Sequence, residues 1–90
     1  MDNKNYELNV SVQAQKFLDK LDQQTRRRLI LNLEALKEQP YQGKPLRGSL
    51  KTLLSWKVGK YRVLYRINEE KIEIIIINIG LRKDIYKSGD

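Results

Sequence analysis

From residue 6 to residue 12 apolar and polar residues alternate, with Tyr6, Leu8, Val10 and Val12 set against Glu7, Asn9 and Ser11. A period of two belongs to a β-strand with one buried face, so the pattern predicts a strand here. The period then lengthens. Ser11 can cap a helix in which Ala14, Phe17, Leu18 and Leu21 recur at spacings of three, four and seven, forming one apolar stripe. A second helix is predicted to start after Asp22, to turn Leu29, Ile30, Leu33 and Leu36 inward, and to stop before Pro40. The two would form an antiparallel hairpin. Residues 39–52, punctuated by Pro40, Gly43, Pro45 and Gly48, read as a long loop carrying Lys44, Arg47 and Lys51.

The C-terminal half changes period again. Residues 54–58 and 61–67 read as two strands joined by Gly59-Lys60, with Gly59 supplying the positive φ that the first central position of a type II′ turn needs. Counting outward from that turn pairs Val58 with Tyr61, Lys57 with Arg62, Trp56 with Val63 and Ser55 with Leu64. Trp56, Val58, Tyr61, Val63 and Tyr65 then share a face that should pack on the helices, and Lys57, Arg62 and Arg66 share the other. A third strand is expected over residues 71–79, after the turn Asn68-Glu69-Glu70. Its nearly unbroken apolar run implies a place inside the sheet, covered on both faces. An Ile67–Ile72 pair would set Arg66 opposite Glu73 and Ile77 beside Arg62. Lys57 and Arg62 remain directly opposed, an arrangement that costs up to about 1 kcal/mol unless an anion lies between them. Gly80 would let the chain turn sharply after the strand. That would either swing Arg82 and Tyr86 over the polar face or leave Ile85 and Tyr86 to close the edge of the core.

The overall expectation is therefore an α+β protein: an N-terminal strand, a two-helix hairpin, then a three-stranded antiparallel meander in one small sheet, with the helices on one face. Ninety residues bound it to a single domain, residues 1–90. The chain contains no cysteine and no histidine. Disulfides, thiolate nucleophiles, the usual general base and the commonest metal ligands all drop out, so no metal or cofactor is expected. The first five residues lack the apolar core of a signal peptide, and no apolar run approaches the ~20 residues that span a bilayer, so a soluble protein with no membrane partner is expected, and a cytoplasmic location is permitted.

Eighteen Lys and Arg against eleven Asp and Glu give a net charge of +7, which attracts polyanions. Such charge also serves plain solubility, so position has to decide. The run Arg26-Arg27-Arg28 does not make a patch, because successive helical residues point about 100° apart; it reads as a solvated helix start. Lys57 facing Arg62 is the more pointed arrangement.

The order of elements resembles the RelE/ParE superfamily of toxin–antitoxin toxins, on the RelE side. So do the segments Leu46-Arg47-Gly48, Trp56-Lys57-Val58-Gly59-Lys60-Tyr61-Arg62-Val63-Leu64-Tyr65 and Ile79-Gly80-Leu81-Arg82-Lys83-Asp84-Ile85-Tyr86. The resemblance covers nearly the whole chain. It implies an endoribonuclease (mRNA interferase) whose site falls on Lys57, Arg62, Arg82 and Tyr86, with Lys44, Arg47, Lys51, Lys60 and Lys83 as candidate RNA contacts. Two positions depart from the family pattern: Ser55 stands where many relatives carry a second basic residue, and Leu81 where many carry histidine. Both bear on the strength and pH dependence of catalysis.

By the same resemblance the partners are a RelB-like antitoxin with an anionic or amphipathic segment, mRNA in the ribosomal A site, and operator DNA through the toxin–antitoxin complex. The outcome would be translation inhibition. The implied reaction is attack by the RNA 2′-hydroxyl on its own phosphate, with Lys57 as base, Arg62 stabilising the pentavalent phosphate, Arg82 stabilising or protonating the leaving 5′-oxygen, and Tyr86 stacking on a base. Relatives of the ParE type, which inhibit DNA gyrase without cutting RNA, are the alternative, and a non-catalytic nucleic-acid-binding module is a third.

Overall fold

The computed structural model describes residues 5–46 and 53–83; Arg47, Lys51 and Tyr86 lie outside them. In chain order the elements are β1 (Glu7–Val10), α1 (Val12–Asp19), α2 (Gln23–Ala35), a 3-10 turn (Pro40–Gln42), β2 (Lys44–Pro45), β3 (Leu54–Val58), β4 (Tyr61–Asn68) and β5 (Glu73–Leu81). The strands form one sheet in the order β1-β5-β4-β3-β2, in which β1 runs parallel to β5 and every other pair is antiparallel.

Both helices start where their caps dictate. Ser11 Oγ accepts a hydrogen bond from the Ala14 amide at 3.0 Å, and Asp22 Oδ2 accepts one from the Thr25 amide at 3.1 Å. Bonding to Thr25 stabilises the ionised Asp22 carboxylate and lowers its pKa below the ordinary value. Ala14, Leu18, Leu29, Leu33 and Leu36 point inward and meet Tyr6, Val63, Tyr65, Ile74, Ile76 and Ile79 from the sheet. Each such Leu or Ile, buried fully, contributes about 1.5–3 kcal/mol. Phe17 packs edge-on to Tyr61 with ring centroids 5.9 Å apart.

Several expectations need correction. Val12 is not a strand residue: it opens α1 and is 73% exposed, because capping by Ser11 ends the strand at Val10. Ile30 lies at the margin of the apolar stripe and is 39% exposed. The long loop contains the 3-10 turn and a short edge strand, β2, whose Pro45 is tolerated because an edge position need not donate to a neighbour. The buried Tyr65 hydroxyl ties this segment down, accepting from the Gly43 amide at 2.9 Å and donating to the Pro40 carbonyl at 2.6 Å.

The largest correction concerns β5. It spans residues 73–81 rather than 71–79 because the preceding turn is longer than three residues. Asn68 Oδ1 accepts from the amides of Glu70 and Lys71, and Ile72 adopts a positive φ of 51°. Ile67 accordingly pairs with Ile74, Arg66 with Ile75, and Glu73 with Asn68, so Glu73 is not the partner of Arg66. A bulge follows: Tyr65 pairs with Ile76 but Leu64 with Asn78, leaving Ile77 as the extra residue. Its carbonyl accepts from Ser11 Oγ at 2.7 Å. The helices cover only one face of β5, and Ile75 and Ile77 are only half-buried, so the expected double coverage is not found.

Candidate RNA-cleaving site

The hairpin register read from the two-residue turn is the register observed: Val58 with Tyr61, Lys57 with Arg62, Trp56 with Val63 and Ser55 with Leu64. Gly59 has φ +60°, as the turn requires. Lys57 and Arg62 therefore do stand across from each other, on the sheet face away from the helices. Two cross-strand rows build that face. One runs Lys44, Ser55, Leu64, Asn78 and the next Lys57, Arg62, Gly80.

Gly80, not Ile77, is the neighbour of Arg62 on β5. The bulge is responsible. Before it, Ile74 and Ile76 point into the core; after it, Ile79 does, so the even-numbered positions 78, 80 and 82 change to the open face. The same step sets Arg82 beside Arg62. Gly80 lies within the strand and does not end it, and pairing continues past Leu81, with the Arg82 amide donating to the Lys60 carbonyl at 3.0 Å.

Lys60, Arg62, Leu81, Arg82 and Lys83 line a shallow hollow of about 640 Å³. Among the described residues its walls carry four cationic side chains, an arrangement that attracts a phosphodiester. Lys57, on the neighbouring strand, is exposed, as are Lys44, Lys60, Arg82 and Lys83, whereas Arg62 is half-buried. The Lys60 ammonium lies 5.7 Å from the Tyr61 ring centroid. Arg66 is exposed on the same face, opposite Ile75.

One residue here has a role that spacing alone did not show. Ser55 is 5% exposed, and its Oγ accepts a hydrogen bond from Arg62 Nη1 at 2.9 Å. The sequence signal was present, since Ser55 sits on the same face as Arg62 and one diagonal step from it, but the direction of a long side chain is not set by register.

Comparison with known proteins gives the family and the fold. Residues 8–86 match the family model described as the ParE toxin of type II toxin–antitoxin systems, parDE. Toxin RelG of Mycobacterium tuberculosis is 44% identical over 45 residues, 50% of this chain and 52% of the relative, so the match spans about half the length of that curated protein. Among solved structures, a chain of the toxin–antitoxin complex RelBE2 from M. tuberculosis is similar with a TM-score of 0.80 and 30% identity, covering 87% of this chain and 99% of the other. The isolated E. coli RelE toxin is similar with a TM-score of 0.72 and 27% identity, covering 93% of this chain and 94% of that one.

Proposed function

This chain belongs to the ParE toxin family of type II toxin–antitoxin systems, and from that premise we propose that it is a metal-independent endoribonuclease that cuts mRNA and so inhibits translation. The observation that carries the reading is the row Lys57, Arg62, Gly80 with Arg82 beside it: among the described residues it gathers three cations on one sheet face, two of which, Arg62 and Arg82, line one hollow.

RNA supplies its own nucleophile. The 2′-hydroxyl oxygen attacks the adjacent phosphorus and gives its proton to Lys57, the assigned base. The phosphorus–O5′ bond then breaks, with Arg82 stabilising the leaving oxygen or returning a proton to it. The products are a 2′,3′-cyclic phosphate and a 5′-hydroxyl. Arg62, between the two, meets the extra negative charge of the pentavalent phosphate. Tyr86 is assigned to base stacking, and Arg47 and Lys51 to backbone contacts, by resemblance. Lys44 and Lys60, at the two margins of the basic face, and Lys83 on the hollow's wall extend the phosphate-binding surface.

The substrate is proposed to be mRNA in the ribosomal A site, and the protein to act in the cytoplasm. The similar M. tuberculosis chain was solved as a toxin–antitoxin complex. The partner proposed here is likewise a RelB-like antitoxin whose anionic or amphipathic segment neutralises the basic face, with operator DNA reached only through that complex.

End mapping of mRNA cut on ribosomes tests the reading. Cleavage is expected to leave the phosphate on the 3′ end of the upstream fragment, and a 2′-deoxy sugar at the cut position is expected to block it. Efficient cutting of the deoxy substrate, or 5′-phosphate ends, would overturn the assignment. Intact mRNA together with trapped gyrase–DNA complexes would transfer the protein to the gyrase-inhibiting branch of its family.

A further inference from the structure

We infer that Ser55 is a positioning residue for Arg62, one that settles where the guanidinium points before RNA arrives. The inference rests on the ribonuclease reading for its consequence in catalysis, but its geometry stands apart from it. Lys57 is the residue directly across from Arg62, whereas Ser55 is two positions further from the hairpin turn, across from Leu64. The bond from Arg62 Nη1 to Ser55 Oγ, 2.9 Å long, therefore runs diagonally and draws the guanidinium back from the turn. The hollow between Lys60, Arg82 and Lys83 lies on the turn side of Arg62. Holding Arg62 on its far side keeps the charge at the hollow's edge and leaves the hollow itself, between Lys60, Arg82 and Lys83, for a phosphate.

A hydroxyl suits the task. It accepts from a guanidinium without adding a third positive charge to the Lys57–Arg62 pair. It occupies one of five donors in a rigid planar fork, so fixing that donor orients the others. Burial of Ser55 makes the contact stronger, because water does not compete freely for it. A half-buried arginine has more than one rotamer open to it, and only some meet an equatorial phosphate oxygen. Pre-setting one of them is the kind of contribution that appears in the rate of the chemical step more than in substrate binding.

The full chain carrying Ser55→Ala or Ser55→Thr, beside the wild type, provides the test, with two readouts. In 15N NMR of the arginine side chains without RNA, rotation of the Arg62 guanidinium is expected to be slow in the wild type and in Ser55→Thr, and fast in Ser55→Ala. In cleavage of ribosome-bound mRNA, Ser55→Ala is expected to lower kcat by about tenfold or more with KM changed by less than about threefold, and Ser55→Thr to restore most of the rate. Equal guanidinium rotation in all three proteins would overturn the inference outright. Equal kcat losses in the alanine and threonine variants would do so as well, since both would then reflect packing at a buried position. Should the wild type cut no RNA, the ribonuclease reading falls, while the NMR comparison still decides whether Ser55 holds Arg62.

Discussion

Gly80 lies directly across the sheet from Arg62, and the bulge at Ile77 puts it there. Continuing the Tyr65–Ile76 register without the extra residue would set Ile79 in that place and turn Arg82 toward the helices. Gly80→Val is therefore expected to fill the space between Arg62 and Arg82 and lower cleavage by tenfold or more, roughly the cost of a misplaced reacting group. Valine suits a strand, so the melting temperature should stay within a few degrees. Wild-type cleavage by this variant would show that the phosphate does not use the hollow.

Neighbouring residues on β3 are expected to behave oppositely. Trp56 is packed against the core, and Trp56→Ala should destabilise the protein by about 3 kcal/mol in denaturant unfolding. Lys57 is exposed on the other face, and Lys57→Ala should change stability by less than about 0.5 kcal/mol while abolishing most cleavage. Arg62→Ala removes both the opposed charge and the bond to Ser55, two effects of opposite sign, and should change stability by no more than about 1 kcal/mol with activity lost. A loss of several kcal/mol would make Arg62 a structural residue.

Tyr65 anchors the segment that leads from α2 into the basic face. Its hydroxyl is buried, and burial raises its pKa. Tyr65→Phe leaves the Gly43 amide and the Pro40 carbonyl without their partner, at a cost of about 1–3 kcal/mol. A Cβ at Gly43 would stand 2.8 Å from the same hydroxyl and 3.0 Å from the Ser55 carbonyl, so Gly43→Ala should damage the same anchor from the other side. Urea unfolding of the two single variants and the double variant should show costs that do not add. Additive costs would separate the two positions.

Alkaline titration should single out Tyr41. Its hydroxyl donates to Glu69, which also accepts from Tyr6 at 3.0 Å, and the carboxylate pushes the Tyr41 pKa up to about 12. The fold thus favours the protonated phenol. The stabilisation this brings is complete below the ordinary pKa near 10 and is lost as pH rises through about 12. Tyrosinate absorbance should show late components from Tyr41 and Tyr65 in the wild type, of which the Tyr41 component alone moves toward 10 in Glu69→Gln. A titration curve unchanged by that substitution would exclude the Glu69 contact as the cause.

The sequence disclosed the pairing at the centre of the candidate site but not its surroundings, for physical reasons. A two-residue turn with glycine in it leaves one way to count, so the Lys57–Arg62 pair followed without a structure. The β4–β5 connection offered no such constraint. Asn68-Glu69-Glu70 looks like a complete turn, and a positive φ at Ile72, a β-branched residue that disfavours it, leaves no compositional trace. The bulge was equally hidden, because an unbroken run from Ile74 to Ile77 is apolar in any register. Its extra residue is met from the far end of the chain, where the Ser11 hydroxyl donates to the Ile77 carbonyl. β2 escaped notice because proline argues against a strand everywhere except at an edge.

The parallel pairing of β1 with β5 bears on when the molecule can first act. Glu7 lies beside Glu73 and Val10 beside Ile76, so the strand made first waits for one made sixty-six residues later. Contacts so distant in sequence form slowly, because a long loop must close before they return any stabilisation. A ribosome translating this message has to pass codon 76 before the sheet can close and codon 83 before the last described cation of the basic face exists. For a protein whose proposed target is the message on a ribosome, topology works as a timer: the nascent chain cannot attack the transcript that encodes it until the codons for β5 and the cations that follow it have been read.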